Sequence, residues 1–514
     1  MAITPDSYVK FMKIPIELDN KNQLTFSSET AQFNYFNQLS NALIFTDFTF
    51  VRRDNILRIP MHIDDLLEYN YCMYQNTTSL YTQKWFYCFI TNMKYINDNM
   101  TEVTIKTDVF QTWQFDLVYK RCFVEREHVN DDTVGLHTVP ENLETGDYVQ
   151  NAVHSTNFSD QCFLINVTKF YHTTTVPVAT NIGASAMAGG FYLCDTFSQV
   201  VSIIDEYNDP DNMVSIDNIV NIYIFPKDLL YNDTVDSNLR WGGQSQPLVD
   251  TFSFAKSTSL DGYTPKNKKL LTYPYIGILF SNNNGSSNLL RQEEFSTNNC
   301  QFEIVALPSV GGSIKCSPKY YKRHGSGGYE EEQLIAGKFP TLSWSKDAFT
   351  NWLTQNAVNN AVGYATDIGM TIGGALTLNS SAALSGAMGV INRMAQVEQQ
   401  KFAPNSAQGN VNGGDVLTAS SVNTFYFYNM TIKAEFAKII DDFFSMYGYK
   451  VNSVKVPNVS GRTNWNYVKT VDSIIVANIP QEDLQEIKKM FDDGVTLWHN
   501  TSTFLDYSQS NNIV

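Results

Sequence analysis

The side chains best suited to chemistry in this sequence are seven histidines, His62, His128, His137, His154, His172, His324 and His499, and two adjacent acid pairs, Asp441-Asp442 and Asp492-Asp493. A helical zinc site sets two ligands at i and i+4, as in HExxH, so that both face one metal. No two histidines here have that spacing. Only His128 and His137 cluster, among Asp131, Asp132 and Glu141. A metal can be drawn among these groups, but a hydrogen-bonded polar loop is the expected state. Paired carboxylates cleave glycosides by flanking one bond, whereas neighbouring positions on a helix point in different directions. Both acid pairs are therefore read as solvated helix surface. No GxSxG elbow occurs, and the Gly-rich stretch at 325–328 precedes Gly337-Lys338 at the wrong spacing, with no Ser or Thr after the lysine, so a phosphate-cradling loop fails. These residues predict a protein that is not an enzyme and uses no metal and no cofactor.

The elements that must carry such residues are mostly strands. Aromatics reach 13% while charged residues reach only 17%, so surface polarity has to come from Asn, Thr and Ser, a mixture that favours sheets over long exposed helices. A net charge of −16 argues against a surface that grips nucleic acid, because phosphate binding draws on Lys and Arg. The seven cysteines are odd in number and never form CxxC, and they read as buried small hydrophobes of a protein made in reducing cytoplasm. Asp6 and Lys10 interrupt any apolar core at the start, so a cleaved secretion signal is not expected.

Along the chain, a hairpin is predicted from Trp85–Lys94 through Asn97-Asp98-Asn99 to Met100–Thr107, with Val103 and Ile105 facing a core and Thr104 and Lys106 facing water. Further strands are expected at 163–167, 219–225, 270–280 and 300–307. Two helices follow. One over 431–447 carries Ile432, Phe436, Ile439, Ile440, Phe443 and Phe444 on one stripe and ends at Gly448; the other runs from Pro480 through Leu484, Ile487, Met490 and Phe491 to Gly494. The fold class is mainly β with a few helices, a β-rich α+β chain, divided as 1–150, 151–345, 346–420 and 421–514, the last expected to complete the domain that the first begins.

The third of these segments is unlike the rest. Residues 348–392 carry a single charged side chain, Asp367, and 368–392 carry none. About 20 apolar residues of helix cross a bilayer. This stretch is too rich in small residues for a permanent span, since Gly373-Gly374, Asn379-Ser380-Ser381 and Gly386 interrupt it. Its apolar residues, Ile368, Met370, Ile372, Leu376, Leu378, Ala382, Leu384, Met388, Val390 and Ile391, with Gly373, mark a conditional, membrane-active segment. Gly369 with Gly373, and Ala382 with Gly386, have the small-xxx-small spacing that lets helices pack in lipid. Ordinary buried helices, with Trp352, Ala357, Ala361 and Ala365 in a water-soluble core, are the competing account. Residues 401–416 read as a Gly/Asn-rich connector.

Two stretches carry a resemblance. YKRCFVEREHVNDDTVGLHTVPENLETGDYV at 119–149 and the C-terminal run with MYGY (446–449), WNYVKT (465–470) and GVTLWH (494–499) are similar to distal tail knob proteins of small, short-tailed, protein-primed phages. With 93–116, the resemblance covers 85–149 and 425–500. It singles out Arg121, Glu125, Arg126, His128, Asp131, His137, Pro140, Trp465 and Trp498 as structural motif residues. In 119–149 an alternating strand, Cys122-Phe123-Val124, is expected to pack against a polar loop holding Arg126, His128 and Asp131 before Pro140 turns the chain.

The resemblance implies a virion protein at the distal end of the tail: tail-tube or hub-like β-barrel domains in a homohexameric ring around a channel, through which phage DNA slides without specific binding. It implies docking to another tail or lower collar protein. The uncharged loop is implied to plug the lumen and, on release, to penetrate the host cell membrane. Two rival functions are a receptor- or wall-binding tail protein, with sugar surfaces such as Tyr320-Tyr321 and Trp241, and a tail-associated wall hydrolase.

Overall fold

Strand Met100–Thr107 shows how this sequence makes sheet. Its β-branched residues alternate, Val103 and Ile105 inward with Thr101 and Thr107, and a two-residue turn at Asp98-Asn99 returns the chain from strand Trp85–Asn97 in antiparallel register, Ile90 opposite Ile105. The structure is a computed structural model. It describes residues 7–39, 42–48, 51, 55–76, 84–156, 161–168, 190–194, 196–212, 214–226, 248–282, 286–307, 313–322, 335–338, 344–345, 407–408 and 425–514. The chain forms two units: Met1–Glu144 with Pro265–Leu270 and Glu435–Val514, and Thr145–Thr264 with Leu271–Ala434.

In the first unit the Trp85–Met100 hairpin belongs to a six-stranded antiparallel sheet, ordered Leu43–Phe48, Ser7–Met12, Tyr71–Asn76, Trp85–Asn97, Met100–Thr107, Ile56–Ile59. One face of it buries Val9, Phe11, Cys72, Tyr74, Cys88, Val103 and Ile105. The other places Tyr71, Met73, Tyr87 and Phe89 against Phe36 of helix Glu29–Asn37 and against Trp465 and Trp498. Those two tryptophans belong to a five-stranded sheet ordered Asn22–Leu24, Val495–Trp498, Trp465–Val471, Cys122–Glu127, Tyr449–Lys455. Helix Gln481–Asp493 covers it with Leu484, Ile487, Met490 and Phe491, the stripe expected from sequence, between Pro480 and Gly494.

The helix of the MYGY motif is shorter than its sequence pattern. It spans Ala434–Tyr447, because Ile432 closes strand Tyr426–Ile432 in the second unit. Its buried face is Ala437, Ile440, Asp441 and Phe444, while Ile439 is 67% exposed, so the face is rotated away from the predicted stripe. A carboxylate takes the place of an apolar residue on that face, which periodicity of apolar residues does not register.

The second unit packs two four-stranded antiparallel sheets face to face over phenylalanines. Phe427 lies 4.2 Å from Phe302, 5.0 Å from Phe280 and 5.5 Å from Phe254 between ring centroids. The first sheet is ordered Tyr148–Ser155, Tyr426–Ile432, Ile276–Ser281, Ser287–Leu290; the second is Leu248–Ala255, Asn299–Leu307, Ser313–Lys319, Ile335–Lys338. The strand expected from 270 begins only at Ile276, after Pro274, which has no N–H to give a ladder. A three-stranded sheet with Gln161–Val167 at its centre is covered by helix Phe197–Asn208 through Val200, Ile203, Ile204 and Tyr207. All seven cysteines are buried and free, as the sequence led us to expect.

Candidate functional site

Strand Cys122–Glu127 runs between Tyr449–Lys455 and Trp465–Val471, so the motif at 119–149 and the C-terminal motifs meet in one sheet. Cys122 and Val124 face the core and Phe123 faces out. Arg126 and His128, expected in a polar loop, sit instead at the end of this strand and just beyond it, where ladder geometry fixes them. Their side chains are spent on holding the chain together. Arg126 donates to the Gly448 carbonyl at 2.7 Å and pairs with Glu141, whose other oxygen takes Lys269; Glu141 also accepts from the Lys450 backbone N–H at 2.9 Å. Burial lowers the Lys269 pKa, opposed by Glu141. Glu127 is fully buried and pairs with Lys455 at 2.5 Å while accepting from Asn458 N–H at 2.8 Å.

His128 accepts from the Tyr467 backbone N–H at Nδ1, 2.8 Å, so its Nε2 carries the proton given to the Ser445 carbonyl, 3.1 Å. Burial, aided by the Arg462 charge, pushes its pKa down to about 3. A neutral imidazole with both nitrogens used has no lone pair left for a metal. His137 turns its Nε2 to the Asp131 carbonyl at 2.7 Å and its ring to Tyr449. Asp131 closes a local turn by accepting from Thr133, and Pro140 is exposed. Arg121 reaches the Val454 carbonyl at 3.3 Å, and Glu125 pairs with Lys469 at 2.9 Å. Trp465 and Trp498 face each other across their strands with rings 5.1 Å apart, each indole N–H bonded, to the Ser445 carbonyl and the Asn22 side chain. Among the described residues no group of His, Cys, Asp and Glu is placed to hold a metal ion.

One member of each acid pair corrects the sequence reading, while Asp442 and Asp493 are exposed as expected. Asp441 is not solvated but fully buried, accepting from the backbone N–H of Lys266 at 2.7 Å and of Asn267 at 3.0 Å. Asp492 accepts from Thr470 Oγ1 and Ser473 N–H. Both tie loops to helices. Asn267 and Lys269 carried no local signal, because their partners are 174 and 128 residues away.

Two surface features remain in the first unit. Val454, Phe123 and Val471 are in direct register across three neighbouring strands, and all three are exposed, at 60%, 39% and 45%. A cross-strand row of this kind is one continuous apolar strip. The second feature is a cleft of about 840 Å³ lined by Tyr447, Tyr467, Lys489, Asp493 and the turn at Asp19–Asn22, among others. Tyr321, a suggested sugar platform, is only 3% exposed and packs on Phe295, and Trp241 lies outside the described residues. The membrane-active stretch at 368–391 also lies outside them. Among the described residues no helix is long and apolar enough to cross a membrane.

The motif residues of this β-rich fold are consumed by internal bonds, and the match of residues 6–119 to the N-terminus of a caudoviral major tail protein points to a structural protein of a phage tail. Residues 244–512, more than half the chain, match the C-terminal domain of the tail knob protein gp9 of Bacillus phage phi29. The chain belongs to this tail knob family, structural components of the virion at the end of the tail. It is 27% identical to the tail knob protein gp9 of Bacillus phage phi29 over 97% of each chain, and 24% identical to that of Bacillus phage B103 over 98% of each. The bacteriophage C1 tail knob protein gp12 shares its fold, with a TM-score of 0.68 at 16% identity, covering 99% of this chain and 100% of that one.

Proposed function

We propose that copies of this knob protein assemble as a hexameric ring, docked to a further tail component, that conducts phage DNA, and that the uncharged segment plugs the lumen before being released into the host membrane. The observation that carries this reading is residues 348–392, a run with one charged side chain in a chain of net charge −16. One inserted copy would leave its Thr, Asn and Ser groups unpaired in hydrocarbon, whereas several copies provide partners or a wet lumen. The acidic balance suits a conduit, because like charge keeps DNA from adhering as it slides. The Val454–Phe123–Val471 strip offers an apolar surface for packing against another chain. On this reading the first unit forms tube wall, and 346–420 is the working insertion.

The test is electron microscopy of purified protein together with dye release from liposomes. A ring with a central channel, and leakage abolished by deleting 350–415 with the ring intact, are the expected results. A monomer, or leakage that survives the deletion, overturns the proposal. Cell binding or wall turnover by the same preparation would instead favour an adhesin or a hydrolase.

A further inference from the structure

The tyrosine-lined cleft of the first unit has no task in the reading above. It is built on rigid elements. Tyr447 ends one helix, Lys489 and Asp493 stand on the last turns of another, and Tyr467 lies on a central strand. Gly494, at φ +97°, keeps the cleft open, because a Cβ there would collide with the Tyr467 hydroxyl. The opposite wall is the turn at Asp19–Asn22, with Asn20 at φ +59°.

Its volume of about 840 Å³ lies within the range of roughly 300–1,000 Å³ common for ligand sites. Asp19 pairs with Lys21, Glu486 with Lys106, and Asn22 accepts from Trp498 and Tyr507, so the lining side chains left for a ligand include Lys489, Asp493, Tyr447 and Tyr467. Lys489 and Asp493 form no ion pair with a described residue, although they are four residues apart on one helix. The hydroxyls of Tyr447 and Tyr467 make no hydrogen bond to a described residue, while their rings meet at 83° with centroids 5.1 Å apart. Burial pushes the Tyr467 phenol up to about 12, so it stays a proton donor at any physiological pH.

We infer that this cleft binds an uncharged saccharide, a short segment of a cell-surface glycan. Sugars present apolar C–H faces and a ring of hydroxyls, each both donor and acceptor. Two tyrosine rings at a steep angle supply surfaces for the faces. An ammonium, a carboxylate, phenols and the Asn20 and Gln485 amides supply donors and acceptors together, which few ligands other than polyols can use at once. Asp19 is paired with Lys21 and Glu486 with Lys106, and Lys489 stands beside Asp493, so the cleft has no excess of positive charge to hold a polyanion. A virion component at the tail end meets such glycans first.

The test is calorimetric titration of the full-length purified protein with soluble oligomers of N-acetylglucosamine, glucose and mannose, and with poly(glycerol phosphate). Saturable binding of an uncharged oligomer is expected, weakened at least about tenfold in Asp493→Asn and Lys489→Gln, since a hydrogen bond to a charged group is worth that much. Both side chains are exposed, so the variants should melt as the parent does. Asp442→Asn, on an exposed position outside the cleft, should bind unchanged. No binding of any uncharged oligomer, preference for the polyanion, or indifference to both cleft variants overturns the inference. So does protection of the cleft from hydrogen exchange on self-assembly without sugar, which would make it a chain contact.

Discussion

Glu141 bridges the partly buried Arg126 and the buried Lys269. Glu141→Ala removes the carboxylate that both cations share, and should cost about 3–5 kcal/mol, the usual result of removing one partner of a buried pair. Denaturant unfolding of the purified chain checks this, and a loss below about 1 kcal/mol would show the cations to be solvated. Two other buried groups set the pH response. His128 has its pKa pushed down to about 3 from 6.5, so only the unfolded chain binds its proton, and stability present above pH 6.5 is lost as pH falls toward 3. Asp108 is raised by burial to about 7 from 3.8, against hydrogen bonds from Gln111 and Tyr71 that pull the other way. The folded chain therefore binds that proton first, and stability grows as pH falls from 7 to 3.8. The two slopes oppose each other between about pH 4 and 6.5. Asp108→Asn should unmask the histidine, giving a steeper acid loss of the unfolding midpoint than the parent; parallel curves for the two proteins would contradict this. The motif residues could be picked out from sequence, but their roles could not. His128 and His137 stand out as a local polar cluster with Asp131, whereas Asn267, Lys269 and Asp441 act over separations that no local pattern encodes.

At the scale of elements, the helix Ala434–Tyr447 ends where Gly448, at φ +66°, donates its N–H to the Phe444 carbonyl and passes directly against the Glu127 carbonyl. Gly448→Ala meets a left-handed backbone penalty of about 1–2 kcal/mol and a collision with main chain that cannot step aside. The variant should be destabilised by more than Gly262→Ala, where φ is also positive but the space is open. Equal losses in thermal melts would show that only the backbone angle matters. This terminus and the Pro480–Gly494 helix were legible because caps and apolar spacing are local. The start of the first helix was misread, since Ile432 fits a helical stripe but is claimed by a ladder with Tyr148 and neighbours. Hydrophobic period alone could not arbitrate between these uses of one residue.

For the whole molecule, the β-rich class followed from aromatic and Asn/Thr content, whereas nothing local marks Pro265–Leu270 as part of the unit built from the two ends of the chain. Under the assembly proposed above, Phe123→Asp places a charge in the middle of the exposed strip without touching the core. It should lower the assembled fraction, measured by analytical ultracentrifugation, while leaving the circular dichroism spectrum unchanged. An unaltered distribution would remove the strip from any chain contact. The six residues Pro265–Leu270 add a different consequence. They lie in sequence within the second unit yet are held by Asp441 and Glu141 of the first, so the polypeptide passes from unit to unit four times. A recombination event that exchanged 145–434 between two phages would import a foreign key for a resident lock. Such exchanges should survive only where the incoming 266–269 sequence still matches both carboxylates, which makes the two parts of this gene travel together.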